Sequence, residues 1–163
     1  MAAAVILKEP IRGLCDSKNL SAKKREILAE EIKLKSYYAY GIATPQEIDR
    51  INILQASLLA MKRAIIKLSV KPQRILIDGL HKPDINFDVE AIIKGDSFVD
   101  EISAASIIAK VKRDKYMTKI DAKYPGYCFK EHKGYGTKLH FKMLKEIGAS
   151  DIHRITFKGV ISW

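Results

Sequence analysis

Short apolar runs alternate along the chain with longer stretches of helical spacing. The run AAAVIL at Ala2–Leu7 and the tyrosine-rich residues 36–43 predict two strands near the N-terminal end. Two β-branched runs, one beginning with RILIDG at Arg74 and one at residues 89–93, predict short buried strands. Because these strands alternate with helical segments, we expect an α/β or α+β fold with a partly parallel sheet.

Capping residues mark the helices. Ser21 is a good N-cap for a helix over residues 22–35, and Thr137 and Gly148 bound a last helix over 138–147. Small residues begin a helix over about 99–124. The sequence TPQE at 44–47 forms a capping box before a short turn that leads into a longer helix. An apolar stripe at intervals of three and four predicts the core face of that helix: Leu54, Leu58, Met61, Ile65 and Leu68.

The length of 163 residues fits one domain with a real core. Cys15 and Cys128 match no metal-binding spacing and predict free thiols in a reducing cytoplasm. We see no signal peptide and no apolar run long enough to span a membrane. A cytoplasmic monomer without a membrane partner is the expectation.

Positive charge is concentrated in one part of the chain. The formal net charge is +10, and residues 102–145 hold eleven Lys or Arg against three acids, a net of +8. A basic segment of this kind suits a phosphate backbone. A solvated lysine-rich surface explains the charge equally well, so charge alone leaves both interpretations open.

Two carboxylates stand where predicted strands end. Asp78 precedes Gly79, and Asp96 follows Gly95. Ligands of open α/β sheets bind beyond the carboxyl ends of the strands, and hard divalent cations prefer oxygen ligands. The alternative for Asp78 is an ordinary Asp-Gly turn, and for Asp96 a helix cap.

Seven motifs together resemble ribonuclease HII, a ribonuclease H-type endonuclease. They occur in the order of that family and cover nearly the whole chain: DSKNLS at 16–21, EIDRINIL at 47–54, LIDG at 76–79, KGDS at 94–97, EISAASIIAKVKRD at 101–114, HKGYGT at 132–137 and HRITF at 153–157. The resemblance implies a ribonuclease H-like mixed sheet flanked by helices, with a C-terminal helical region. It also implies a hydrolase that cuts the RNA strand of RNA/DNA hybrids or RNA-DNA junction duplexes.

The resemblance implies a magnesium or manganese ion held by four acids. Asp78 and Asp96 match the third and fourth, as catalytic residues and metal ligands. The first two form an Asp-Glu pair in a GxDExGRG motif, which is absent here, since Asp100 and Glu101 belong to the helix motif. We therefore expect a single domain, 1–163, without its first strand and with impaired activity. The alternatives are a basic fragment that binds hybrids without cleaving them and a basic α/β domain without a metal.

Candidates for nucleic-acid binding follow from the same motifs. Tyr135 lies between two glycines in a basic loop, and the matching tyrosine of the family lies at the RNA-DNA junction. The alternative is a ring packed under its own loop. Lys18, Lys133 and Arg154 are candidate phosphate contacts, although solvated surface charges explain them nearly as well. His153 is expected to be structural, and the four histidines lack the close spacing that would suggest zinc.

Overall fold

The computed structural model describes residues 1–14 and 20–161. Its strands are β1 (Ala2–Leu7), β2 (Ser36–Gly41), β3 (Ile75–Asp78) and β4 (Val89–Ile92). Its helices are α1 (Ala22–Leu34), α2 (Pro45–Ile66), α3 (Asp100–Lys123), α4 (Phe129–His132) and α5 (Lys138–Ile147). Within the described ranges, none of these helices has the length and apolar character needed to cross a bilayer.

The four strands form two separate pairs. β1 runs antiparallel to β2, with Ala2 opposite Gly41. β3 runs parallel to β4, with Asp78 opposite Ile92. The predicted mixed α/β class with a parallel component is therefore confirmed. The difference is that the described strands form two two-stranded sheets, where the sequence predicted one mixed sheet.

The chain divides into two compact units. The first unit comprises Met1–Ala43 and Leu54–Val111, and the second comprises Thr44–Ile53 and Lys112–Trp163. The expected metal ligands belong to the first unit, and the basic loop with Tyr135 belongs to the second. The interpretation of the chain as one domain stays a prediction.

The predicted N-cap of α1 and the predicted capping box of α2 are present as hydrogen bonds. The Ser21 side chain accepts from the Lys24 N–H at 3.3 Å, which begins α1. At the start of α2, the Glu47 N–H donates to the Thr44 hydroxyl oxygen at 3.2 Å, and the Thr44 N–H donates to a Glu47 carboxylate oxygen at 2.9 Å. α2 is interrupted at Asn52, which has φ 66° and ψ 168°, so the predicted short turn before a longer helix is confirmed.

The core of the first unit differs from the predicted apolar stripe. α2 buries Ala56, Ala60 and Ala64 together with Ile65, whereas Leu54 is 41% exposed. The stripe prediction is confirmed for Ile65, against whose cluster Met61 packs, and is wrong for Leu54. The fully buried face is otherwise made of alanines, whose small side chains let β2 approach α2 closely. The other strands are also less buried than predicted: only Ile75 and Ile77 of β3 are buried, and β4 is half-buried.

An apolar cleft of about 750 Å³ lies in the first unit beside β1 and β3. The Lys8 N–H donates to the Lys35 carbonyl beside the antiparallel pair. Because hydrogen-bonded and non-hydrogen-bonded positions alternate, every second residue of β1, counted back from Leu7, directs its main-chain N–H and C=O groups away from β2. The Ile75 N–H donates to the carbonyl of Asp88, just before β4, and the Gly79 N–H donates to the carbonyl of Ile92 in β4. The main-chain N–H and C=O groups of Leu76 and Asp78 therefore face away from β4. Among the described residues, no strand pairs with either of these outer edges.

Candidate metal and nucleic-acid site

Asp78 is the last residue of β3. Gly79 follows with φ 109°, a left-handed conformation that glycine adopts without strain, and its N–H donates to the Ile92 carbonyl at 2.9 Å. The chain therefore turns away directly after the carboxylate while remaining tied to β4. This fixes the main chain of Asp78 at the carboxyl end of the parallel pair.

The turn that carries Asp96 is bound directly to Asp78. The Gly95 N–H donates to Asp78 Oδ1 at 3.0 Å, and Asp96 is the middle residue of the 3₁₀ turn Gly95–Ser97. A Cβ at Gly95 would lie 2.5 Å from Ile102 Cδ1, so the end of the Ile102 side chain would have to move to make room for it. Asp78 and Asp96 thus follow neighbouring strands, and one hydrogen bond links the two acidic segments.

The two acids offer oxygen ligands of the kind that a hard cation prefers. In residues 1–14 and 20–161 there is no group of three or more His, Cys, Asp or Glu placed to hold a metal. Magnesium is commonly bound in proteins through only one or two carboxylates, with water and substrate phosphates completing its shell. The pair therefore fits a divalent cation whose remaining ligands come from water and a substrate phosphate. The roles of Asp78 and Asp96 as ligands stay a prediction.

The basic loop of the second unit gathers three of the predicted nucleic-acid contacts. The Lys133 ammonium donates to Thr118 Oγ1 at 2.9 Å, and an Arg154 guanidinium N–H donates to the Gly134 carbonyl at 3.4 Å. Tyr135 is 54% exposed, so it is not packed under its own loop. Lys133, Tyr135 and Arg154 are thus brought together, whereas Lys18 lies outside the described residues.

Arg113 is a fourth member of this group that the sequence did not single out. Its guanidinium lies 4.7 Å from the centre of the Tyr135 ring, a cation–π distance. Its Nη1 atom is buried without a hydrogen-bond partner among the described residues. Burial lowers the pKa of Arg154, and the charge of Arg113 lowers it further. Each arginine also has a carboxylate neighbour: Asp114 Oδ1 lies 4.0 Å from Arg113 Nη1, and the charge of Asp49 raises the pKa of Arg154. The two guanidinium groups are candidate contacts to a phosphate.

Asp49 is a second residue that the sequence did not single out. Its two carboxylate oxygens each accept a main-chain N–H at 3.0 Å, from Ile155 and Thr156. Burial raises the pKa of this carboxyl, but the hydrogen bonds from Thr156 and Ile155 outweigh that effect and hold the pKa below its ordinary value. Asp49 therefore fixes the segment that carries Arg154. Its place in the EIDRINIL motif was the available signal.

The buried histidines of the second unit are fully hydrogen-bonded. His153 is 7% exposed and both its ring nitrogens have partners, which confirms the structural role predicted for it. Burial lowers the pKa of His153, and it lowers the pKa of His140 to about 4. Both rings are therefore neutral at pH 7. Their spacing in sequence, 13 residues apart, gave no sign that they would meet.

Comparisons with known proteins agree with the motifs. The family described as Ribonuclease HII matches residues 1–160. The structure is similar to ribonuclease H2 from Pyrococcus horikoshii OT3, with a TM-score of 0.73 and 26% identity over 98% of this chain and 95% of that one. It is also similar to a structure of the PCNA:RNase HII complex from Archaeoglobus fulgidus, with a TM-score of 0.72 and 24% identity over 94% and 83% of the two chains. Bst-RNase HIII in complex with Mn2+ gives a TM-score of 0.68 and 18% identity, over 91% of this chain and 56% of that one.

Proposed function

Because this chain belongs to the ribonuclease HII family, we propose that it is an endonuclease that hydrolyses the RNA strand of RNA/DNA hybrids with the help of a divalent cation. The observation that carries the proposal is the link between the two acidic segments, in which the Gly95 N–H holds the Asp78 carboxylate beside the turn of Asp96. A cytoplasmic monomer acting without a membrane partner is part of the same proposal.

Asp78 and Asp96 are the residues that would hold magnesium or manganese. When bound, such a cation activates water as the nucleophile and stabilises the leaving oxygen of a phosphodiester. The chain supplies the orientation of the ligands: Gly95 fixes one oxygen of Asp78, and the 3₁₀ turn fixes the main chain of Asp96. Asp96 serves either as a second ligand or as an acid toward the leaving group. Support for a divalent cation comes from the family and from the Mn2+ complex of a similar fold.

The basic loop would hold the nucleic acid. The exposed Tyr135 ring can stack on a sugar or base, and the 2′-hydroxyl is the group by which a protein distinguishes RNA from DNA. Lys133, Arg154 and Arg113 carry the charges that phosphates require, and Lys18 belongs to the same proposal. The substrate is then an RNA/DNA hybrid or an RNA-DNA junction duplex.

A cleavage assay on labelled RNA/DNA hybrid tests the catalytic proposal. Asp78→Asn keeps the shape of the side chain but removes the ligand charge, so we expect cleavage in magnesium or manganese to fall by about a hundredfold or more. The matched control is Asp84→Asn, because Asp84 is a fully exposed loop carboxylate that is paired loosely with Lys62 at 3.8 Å. The control should cleave like the unsubstituted chain. Equal rates for all three proteins would remove Asp78 from the site.

A second candidate function is binding of hybrids without cleavage. The observation that favours it is the lack of a third metal-ligating side chain beside Asp78 and Asp96 in the described parts of the chain. A chain of this kind would still bind duplex through its basic segment. Cleavage that depends on added metal and on Asp78 excludes this candidate, and binding without any cleavage supports it.

Binding to an RNA/DNA hybrid should weaken steeply with salt. Residues 102–145 carry a net charge of +8, and each phosphate contact releases counterions. On a log-log plot we expect a slope of roughly −0.9 per contact for B-form geometry, somewhat shifted for a hybrid. Fluorescence anisotropy from low to high salt measures it. Lys133→Gln should reduce the slope by about one, and Lys67→Gln, outside the basic segment, should not. Affinity independent of salt would contradict a basic binding face.

A further inference from the structure

Three buried imidazoles meet in the second unit. His132, His140 and His153 are only 6%, 7% and 7% exposed. The rings of His132 and His140 stack with their centres 4.1 Å apart, and Phe129 lies against all three. The cleavage chemistry proposed above uses none of them. Buried polar side chains are retained where their hydrogen bonds specify one arrangement of the chain around them.

The hydrogen bonds assign a direction to two of these rings. The Ser150 N–H and the Ser150 hydroxyl lie 3.0 and 2.8 Å from His153 Nδ1. With both donating to it, that nitrogen has no proton, and neutral His153 carries its proton on Nε2. His153 Nε2 lies 3.3 Å from His140 Nε2, which must accept. The proton of His140 is then on Nδ1, which donates to the Tyr135 carbonyl at 3.0 Å.

The third ring fixes the neighbouring residues of the same loop. The Gly134 N–H donates to His132 Nδ1 at 3.1 Å, so the proton of His132 is on Nε2, which donates to the Tyr127 carbonyl at 2.7 Å. A proton on His140 Nε2 would set it against the N–H of His153, and a proton on His132 Nδ1 would set it against the Gly134 N–H. The direction of the network therefore depends on these two nitrogens acting as acceptors.

The network ends on the main chain of Tyr135, whose ring is exposed. The Tyr135 N–H donates to the His132 carbonyl at 2.9 Å, and its carbonyl accepts from the Thr137 N–H at 2.8 Å as well as from His140. The ring itself is exposed beside Arg113. The peptide groups on both sides of Tyr135 are thus fixed, while its side chain faces solvent.

We propose that His153 and His140 form a directed hydrogen-bond relay that positions Tyr135 for contact with nucleic acid, with His132 fixing the residues just before it. This rests on the function proposed above, because Tyr135 is taken there as a contact to the hybrid. The histidines are positioning residues and do not touch the substrate. Their effect on nucleic acid passes through the main chain of Tyr135.

Ring-nitrogen NMR of protein labelled with ¹⁵N-histidine tests the relay itself at pH 7. We expect His140 in the Nδ1–H form, and His132 and His153 in the Nε2–H form. A His140 ring protonated on Nε2 would overturn the relay. The NMR measurement does not depend on any activity, so failure of the relay and failure of the proposed function can be told apart. A protein that shows the expected tautomers but binds no hybrid would refute the role in nucleic-acid contact together with that function.

A double-mutant cycle tests the role in binding. His140→Phe keeps an aromatic ring but removes both nitrogens, and we expect it to weaken hybrid binding by about tenfold. His140→Asn places an amide N–H close to the position of Nδ1 and should recover most of the affinity. In a Tyr135→Ala background, His140→Phe should have no further effect, since the relay acts through Tyr135.

Two outcomes of the cycle would overturn the proposal. If His140→Phe weakened binding equally with and without Tyr135, the histidines would serve only the general stability of the unit. If it left binding unchanged while circular dichroism showed a folded protein, the relay would be irrelevant to Tyr135. Should His140→Phe fail to fold, His153→Leu takes its place in the same cycle, because it breaks the relay one step further from the loop.

Discussion

Fusing to the N-terminus of this chain a hairpin that ends in a GxDExGRG strand should raise metal-dependent cleavage of RNA/DNA hybrid by at least about a hundredfold. The reason is coordination chemistry. Magnesium demands near-octahedral oxygen ligation and gives up water reluctantly, so Asp78 and Asp96 alone hold it weakly without phosphate. An added Asp-Glu pair supplies two further charges. Initial rates at equal protein and metal concentrations measure the change.

The structure offers a place for the added strand. The cleft beside β1 and β3 is lined by Ala2, Val5, Leu76 and Asp78 among others. The outer edges of both strands direct main-chain groups away from their partner strands. Ala4 already packs against the cluster of Ile65, Ile75 and Ile77, so an apolar floor is present. A strand placed there would satisfy edge groups that are otherwise left to water. The thermal midpoint should therefore rise together with the rate.

A matched hairpin separates the two effects. The same fused strand with Asn-Gln in place of Asp-Glu should raise the thermal midpoint but not the rate, because it fills the cleft without adding charge. Asp78→Asn in the version with both acids should return the rate toward that of the unfused chain. If the unfused chain already cleaved as fast as the fused one, the assignment of the site would be wrong.

Gly41→Ala should destabilise the first unit more than any other single methyl addition at a glycine. A Cβ at Gly41 would lie 1.8 Å from the Ala60 carbonyl oxygen and 2.6 Å from the Ala64 nitrogen. Both are main-chain atoms of α2, so no side-chain rotation relieves the overlap. We expect a loss of about 3 kcal/mol, the upper part of the range for overpacking. For a chain of this length, that corresponds to a fall of roughly 6–12 °C in the thermal midpoint.

Two variants control for this prediction. Gly148→Ala adds a methyl group with nothing within 4 Å, but at φ 77° and ψ −176°, a backbone region nearly confined to glycine. It therefore reports backbone strain alone and should cost about 1–3 kcal/mol. Ala60→Gly combined with Gly41→Ala should not restore stability, because the overlapping atom of Ala60 is its carbonyl oxygen. A Gly41→Ala protein as stable as the parent in calorimetry would show that β2 and α2 do not approach this closely.

Local signals in the sequence predicted the boundaries of the elements well. Ser21, Thr44 and Thr137 act through hydrogen bonds within their own first turn, so three or four residues contain all the information needed. The end of β3 at Asp78 was visible for the same reason, since a β-branched run stops at Asp-Gly. The sequence also placed Asp78 and Asp96 where two predicted strands end, whereas the hydrogen bond that links their segments was not visible in it.

Contacts between distant residues were not visible in the sequence. The leucine stripe of α2 gave the stronger apolar signal, but the buried face is set by Gly41 of another element, which requires alanines opposite it. In the same way, Arg113 resembles an ordinary solvated residue of a basic helix until the fold brings Tyr135 over it. Each of these residues owes its environment to a contact residue far away in the sequence, so the periodicity of the sequence alone could not predict the contact.

The connection between β3 and β4 has a consequence for how the acidic pair assembles. Parallel strands are usually joined by a crossover of a dozen or more residues containing a helix, but here only the ten residues 79–88 lie between them, and no helix is among them. Closing so short a loop costs little chain entropy, and contacts between near neighbours in sequence form early in folding. The segment from Asp78 to Asp96 can thus reach its arrangement before the far more separated strands β1 and β2 have paired.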